Sequence, residues 1–189
     1  MDALTLLIAD HNRVRGLFKR FRSADDAGDA DAMATFATTI FTELEVHTTI
    51  EEEIFYPQVH DLSDEIGDTV DEGLQEHHVV KVLMGEIARL EPGANDWVAK
   101  MTVLVENVEH HAEEEESELF PKVRSHSSGA DRNQLGDRLD ARKGELGAPV
   151  LADKIDLTDE RLHELASAQE IPGRSSMDHD ELAATVSPG

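Results

Sequence analysis

Apolar residues recur at three- and four-residue steps along most of residues 1–124, a period that commits this part of the chain to amphipathic helices. Residues 3–22 place Leu4, Leu7, Ile8, His11, Val14, Phe18 and Phe21 on one stripe, and the acidic loop 25–29 closes it. Residues 30–56 carry Met33, Phe36, Ile40, Leu44, His47, Glu51, Ile54 and Phe55 before Pro57, which is expected to stop the helix. Residues 64–90 carry Ile66, Val70, Leu74, His77, Val80, Met84 and Ile87, with Glu91-Pro92-Gly93 as the break. Residues 95–123, with Asn95 as the expected N-cap, carry Trp97, Met101, Leu104, Val105, Val108, His111, Glu115, Leu119 and Phe120. Helices of this length span roughly 30–43 Å, and the turns between them are short, which favours antiparallel neighbours. The expected fold is all-α: an up-down-up-down four-helix bundle over residues 1–124 with a shorter C-terminal helical appendage.

The pattern changes after Arg124. Residues 125–155 read as a linker and a short helix at about 131–146, with Leu135, Leu139 and Leu146 on its apolar face. Residues 156–189 read as a small helix–extended–helix module, similar to Rho N-terminal and SAP-type motifs. Relatives of that kind include nucleic-acid binders. Here only Arg161 and Arg174 stand against eight acids between Asp156 and Glu181, so the module suits a protein partner better.

Charge excludes further roles. Across 189 residues, 17 Lys and Arg face 41 Asp and Glu, a net charge of −24 that repels phosphate backbones and anionic lipid heads. Residues 1–12 carry Asp2 and Asp10 and no basic stretch, so they do not read as a signal peptide, and no apolar run is long enough to span a bilayer. A cytoplasmic location is expected. There are no cysteines, so any metal must be held by His and carboxylates.

Each bundle helix has one His on its apolar stripe: His11, His47, His77 and His111. Two helices add a Glu four residues on, giving His47-x-x-x-Glu51 and His111-x-x-x-Glu115, and residues four apart share a helix face. With ten His among so many acids, about one such pair arises by chance. His110-x-x-x-Glu114, on a polar face, is read as that coincidence. Heights separate the others. At 1.5 Å per residue the four His lie ~12–20 Å from one end of an alternating bundle, a single layer within boundary error. Two carboxylates in an aliphatic core cost several kcal/mol each unless paired or bound to metal. Four His and two Glu suit iron, and less distinctively manganese or zinc. His78 and His110 face less apolar stripes, and His60, His126, His163 and His179 are read as solvated. Glu52, Glu53 and most of 113–118 are expected to point to water.

The segments Ala9-Asp10-His11-Asn12-Arg13-Val14, His47-Thr48-Thr49-Ile50-Glu51 with Phe55-Tyr56-Pro57, Glu76-His77-His78, and His111-Ala112-Glu113-Glu114-Glu115 with Leu119-Phe120-Pro121 together resemble the hemerythrin-like, or HHE cation-binding, family. The resemblance implies a non-haem centre of two iron ions. His11, His47, His77 and His111 would be terminal ligands and Glu51 and Glu115 bridges, and dioxygen, peroxide or nitric oxide would bind or react there. Iron or oxygen sensing, reported through the C-terminal module, is the alternative. Oxygen-carrying members have a second His one turn after the helix-three ligand, where this chain has Lys81, which favours peroxide or nitric oxide chemistry or sensing over reversible carriage. Tyr56, five residues after Glu51, is either a packing residue at the bundle end or a hydrogen-bond donor or ligand to the metal pair.

Overall fold

The structure, a computed structural model, describes residues 1–147. The module expected at 156–189 lies outside the described residues. Seven α-helices follow one another: α1 (Ala3–Asp26), α2 (Ala30–Ile50), α3 (Tyr56–Val59), α4 (Asp64–Ile87), α5 (Asn95–Glu114), α6 (Phe120–His126) and α7 (Gly129–Glu145). All regular elements among the described residues are helical. α3 prolongs α2 and α6 prolongs α5, so that α1, α2–α3, α4 and α5–α6 are the four rods of a bundle, α1 packed along α2 and α4 along α5. No helix among the described residues is long and apolar enough to cross a membrane.

Local chemistry sets most of the boundaries. Asp2, Asp29 and Ser63 accept the backbone N–H groups of Leu4, Ala32 and Ile66, satisfying the free donors that open α1, α2 and α4. Ser128 and Asp131 form a reciprocal capping box at the start of α7. Asn95 is not a cap: the N-cap position belongs to Ala94, without a side-chain bond, and Asn95 is the first residue of α5.

Pro57 does not stop the second rod. Between α2 and α3 the chain makes one wide π-helical turn, Glu51–Phe55, closed by the Tyr56 N–H to the Glu51 carbonyl. Glu115–Leu119 repeats this between α5 and α6, closed by the Phe120 N–H to the Glu115 carbonyl. In each case a proline follows immediately, Pro57 or Pro121. A proline has no N–H to give and its ring presses on the carbonyl four residues back. Widening the preceding turn by one residue relieves that clash, and the helix continues. The extra residue also resets the inward face: Tyr56 and Phe120, five residues after the glutamates, are both buried.

The core has two apolar parts. One contains Val14, Phe18, Phe21, Ile40, Leu44, Ile87, Trp97 and Leu104; the other contains Leu4, Leu7, Ile50, Phe55, Ile66, Val70, Leu119 and Phe120. Burying each large side chain contributes roughly 1.5–3 kcal/mol. Leu135 and Leu139 of α7 belong to the second part, so α7 lies against the bundle. Gly136 makes this approach feasible, since a Cβ there would run into the Met1 carbonyl oxygen. Arg132 bonds Asp2 at 2.8 Å, and Arg142 bonds Glu53 of the first π turn at 2.8 Å. A buried ion pair, Arg13–Glu43 at 2.9 Å, links α1 to α2.

Candidate metal centre

Four imidazoles and two carboxylates meet at one level of the bundle. His11, His47, His77 and His111, one from each rod, are 2–6% exposed, with Glu51 at 0% and Glu115 at 2%. The helical spacing of four turns each His and its Glu to the same side. The glutamates open the two π turns, so both His-x-x-x-Glu pairs sit at matched places in the two long rods.

The donor atoms face one another in pairs. His11 and His47 approach Nε2 to Nε2 at 3.2 Å, and His77 and His111 at 3.1 Å. Two ligands each about 2.1 Å from a cation and at right angles to each other would lie about 3 Å apart. Glu51 Oε2 is 3.2 Å from His47 Nε2 and 3.3 Å from His77 Nε2, so it spans both pairs. Glu115 Oε2 also spans them, 3.3 Å from His11 and 3.7 Å from His111. Two groups could each hold a metal ion: His11, His47, Glu51 and Glu115, and Glu51, His77 and His111. A third group, Glu76, His110 and Glu114, lies at the surface with His110 exposed.

A ring of outer carboxylates orients the imidazoles. Glu116 meets His11 Nδ1 at 2.7 Å, Glu52 meets His77 Nδ1 at 3.0 Å and Glu76 meets His111 Nδ1 at 2.7 Å. Asp10 faces His47 Nδ1 at 3.7 Å, beyond hydrogen-bond reach. Each acid serves the His of the next rod, so the contacts run once around the bundle. A carboxylate at Nδ1 keeps the ring proton there and leaves the Nε2 lone pair facing inward, the form that binds metal. Glu116 is held in turn by Arg15 at 2.8 Å, and Glu52 by Lys81 at 2.6 Å. These contacts correct the expectation that Glu52 and Glu116 point to water; their side chains are 30% and 28% exposed. Lys81 has its ammonium on Glu52, away from the centre of the layer.

The electrostatics are those of too many acceptors in too little water. Both Glu51 oxygens and Glu115 Oε2 are buried without a hydrogen-bond partner, a cost that a cation removes. Burial and the neighbouring Glu115 charge push the Glu51 carboxyl up to about 7. Glu115 is driven the other way: burial opposes its charge, but His111 and His11 outweigh it and hold the carboxyl well below the usual range. Burial would lower His11 and His111, yet for His11 bonds to Glu115 and Glu116, and for His111 the charge of Glu115 with the bond to Glu76, raise each to about 9. His77 falls to about 4 through burial and repulsion from His111.

Aromatic rings floor the layer. Phe120 stacks on His11 with centroids 6.0 Å apart, and Tyr56 stacks on His77 at 5.5 Å. The Tyr56 hydroxyl donates to Glu115 Oε1 at 2.9 Å, a bond that Phe120 has no group to mirror on Glu51. Gly73 leaves room for it; a Cβ there would lie 3.0 Å from the Tyr56 oxygen and 3.3 Å from the His111 ring. On the opposite side, a cavity of about 20 Å³ lies among the imidazoles and Val14, Phe18, Leu44, Val80 and Val108. That volume admits about one water-sized molecule.

All six residues expected as metal ligands come together, with Tyr56 in contact. Asp10, Glu52, Glu76 and Glu116 were not foreseen. Their sequence signal is an acid directly before His11 and His77 and directly after Glu51 and Glu115.

Residues 2–123 match the Hemerythrin HHE cation binding domain. The chain is 28% identical over 146 residues to a DNA nickase of Nostoc sp., covering 77% of this chain and 40% of that protein. It is 23% identical over 123 residues to an uncharacterised hemerythrin-like protein of Schizosaccharomyces pombe, covering 65% of this chain and 59% of the relative. With an uncharacterised protein of Mycobacterium tuberculosis it shares 26% identity over 152 residues, covering 79% and 91%. The chain thus spans less than two thirds of the first two relatives. No solved structure matches it at a significant level.

Proposed function

Because the chain belongs to the hemerythrin HHE cation-binding domain family, we propose that its histidine–carboxylate layer holds two non-haem iron ions that bind or react with dioxygen, peroxide or nitric oxide, in oxidative or nitrosative stress or iron handling. The observation that carries this reading is the convergence of four Nε2 atoms on two buried carboxylates, three of whose four oxygens lack a hydrogen-bond partner. His11 and His47 would hold one ion, His77 and His111 the other, with Glu51 and Glu115 reaching both. The nitrogen and oxygen set suits iron, and less distinctively manganese or zinc. Bound iron supplies the change of oxidation state and the open positions for a small oxidant.

The chain's own groups do the rest. The outer carboxylates keep the protons on Nδ1 and the imidazoles turned inward. The cavity beside the imidazoles, walled in part by Val14, Phe18, Leu44, Val80 and Val108, has room for a molecule about the size of water. Tyr56 Oη orients Glu115 and offers a hydroxyl proton beside the layer. Lys81, paired with Glu52, adds no ligand where oxygen carriers have a second His, which supports reaction over reversible carriage.

A non-catalytic sensor of iron or oxygen is the second reading, favoured by the ion pair of α7 with Asp10 beside the layer. A catalyst turns over peroxide or nitric oxide in proportion to its iron; a sensor changes protease resistance on loading without turnover. A protein partner for residues 156–189 belongs to the same proposal and rests on their sequence. DNA nicking is not carried over from the Nostoc relative, because a net charge of −24 opposes a phosphate backbone. The test is iron content and optical spectrum after anaerobic ferrous loading, for the native chain and His111→Ala. About two irons per chain, largely lost in the variant, are expected; a folded native chain that takes up no iron refutes the reading.

A further inference from the structure

The outer ring is not the same on its two sides. Arg15 lies four residues after His11 and holds Glu116, and Lys81 lies four residues after His77 and holds Glu52. Each cation therefore comes from the same helix as the His it supports. Asp10 and Glu76, the acids that face His47 and His111, have no such neighbour. Glu76 meets His111 at 2.7 Å with no Lys or Arg in ion-pair reach among the described residues. Asp10 is held by Lys143, which comes from α7, 133 residues away. α7 also lies beyond the part of the chain that matches the family.

The Asp10 contact is part-buried and divided. Asp10 is 7% exposed, its Oδ1 is on the Lys143 ammonium, and its Oδ2 faces the His47 Nδ1 without closing a bond. The same helix reaches the π turn that carries Glu51, through Arg142 on Glu53. So α7 grips α1, at the acid that faces His47, and the π turn that supplies Glu51. It makes no comparable contact with His77 or His111.

We infer that Lys143 is a positioning residue for His47, acting through Asp10, so that the metal position built on His11 and His47 depends on the Lys143–Asp10 contact and the position built on His77 and His111 does not. The inference rests on the proposed two-metal reading. Its chemical basis is that an outer-shell partner fixes the tautomer and direction of a ligand imidazole, and losing one typically costs 10–100-fold in metal affinity.

The test uses the full chain loaded with ⁵⁷Fe(II) under argon, with iron release to a chromophoric ferrous chelator followed in time. In Lys143→Met, one iron per chain is expected to leave about 10-fold or more faster than in the native chain, and the other within about twofold of its native rate. Lys143→Arg restores the native rates. Asp10→Asn keeps the Arg132 and Arg142 ties of α7, and accelerates the same iron. Lys81→Met, on the opposite side of the ring, accelerates the other one. Mössbauer spectra of the Lys143→Met protein show one iron environment altered and one unchanged. Equal acceleration of both irons in Lys143→Met, or of neither, overturns the inference while leaving the two-metal reading standing. A native chain that binds no iron overturns both.

Discussion

Replacing Glu51 by Gln gives the sharpest energetic test of the layer, because the residue should burden the metal-free protein and serve only the loaded one. Glu51 is fully buried and neither oxygen has a hydrogen-bond partner. Burial first, and then the charge of Glu115, raises its carboxyl from the ordinary 4.5 to about 7. A folded-state value above the unfolded one means that the ionised carboxylate opposes folding. The penalty is absent below about pH 4.5, grows between 4.5 and 7, and is complete above 7. At about 1.4 kcal/mol per pH unit it reaches roughly 3 kcal/mol at pH 8. Gln at this position removes the pH-dependent part and leaves a buried amide, at a cost of about 1–3 kcal/mol at every pH. The metal-free variant should therefore be less stable than the native chain at pH 5 and equal or more stable at pH 8. The difference between the two proteins should move by about 2–3 kcal/mol over that interval. Urea unfolding of both metal-free proteins, followed by circular dichroism at each pH, measures this directly. Ferrous iron should then raise the midpoint of the native chain and leave that of Glu51→Gln nearly unmoved. Parallel stability profiles from pH 5 to 8 would refute the reasoning, since they would mean that Glu51 has a partner or reaches water.

Two further outcomes are expected. His11 and His111, raised to about 9, are charged at pH 7.5 and must be neutral to bind metal, so iron uptake should release about two protons per chain plus a fraction from Glu51. Dye-monitored proton release checks this, and fewer than about one proton per chain contradicts it. Tyr56→Phe removes the 2.9 Å bond to Glu115 and should lower the stability of the metal-free protein by about 1.5–3 kcal/mol. A loss under about 0.5 kcal/mol in urea melts would mean that the hydroxyl is not the partner of Glu115.

The rods and the inward His and Glu were legible because both follow from a single periodicity. Heptad-like spacing names the buried face of a helix, and His47 with Glu51 obeys it as well as Leu44 does. What escaped was whatever breaks or crosses that period. The π turns add a residue, so a stripe extrapolated past Glu51 chooses Ile54, which is half-buried, and not Tyr56, which is buried. Pro57 and Pro121, each six residues after a glutamate, are the visible trace of those turns. The outer carboxylates sit on flanks of their own helices and reach the His of a neighbour, a relation between helices that no single-helix pattern contains. Arg13 and Glu43 are hidden for the same reason: each looks like a surface charge until the partner helix covers it.

The layer divides the chain into two like halves. The hairpin of α1 and α2 brings His11, His47 and, just beyond it, Glu51; the hairpin of α4 and α5 brings His77, His111 and, just beyond it, Glu115. Glu51 lies within 3.3 Å of an imidazole from each hairpin. A cation held there would thus be a cross-link between the two hairpins, joining Glu51 to His77, 26 residues further along the sequence. Like a disulfide, it ties the ends of a long loop and withdraws open conformations from the unfolded ensemble. Unlike a disulfide, it would be placed and removed by an equilibrium with free metal, which would make the hold of one hairpin on the other a function of metal supply.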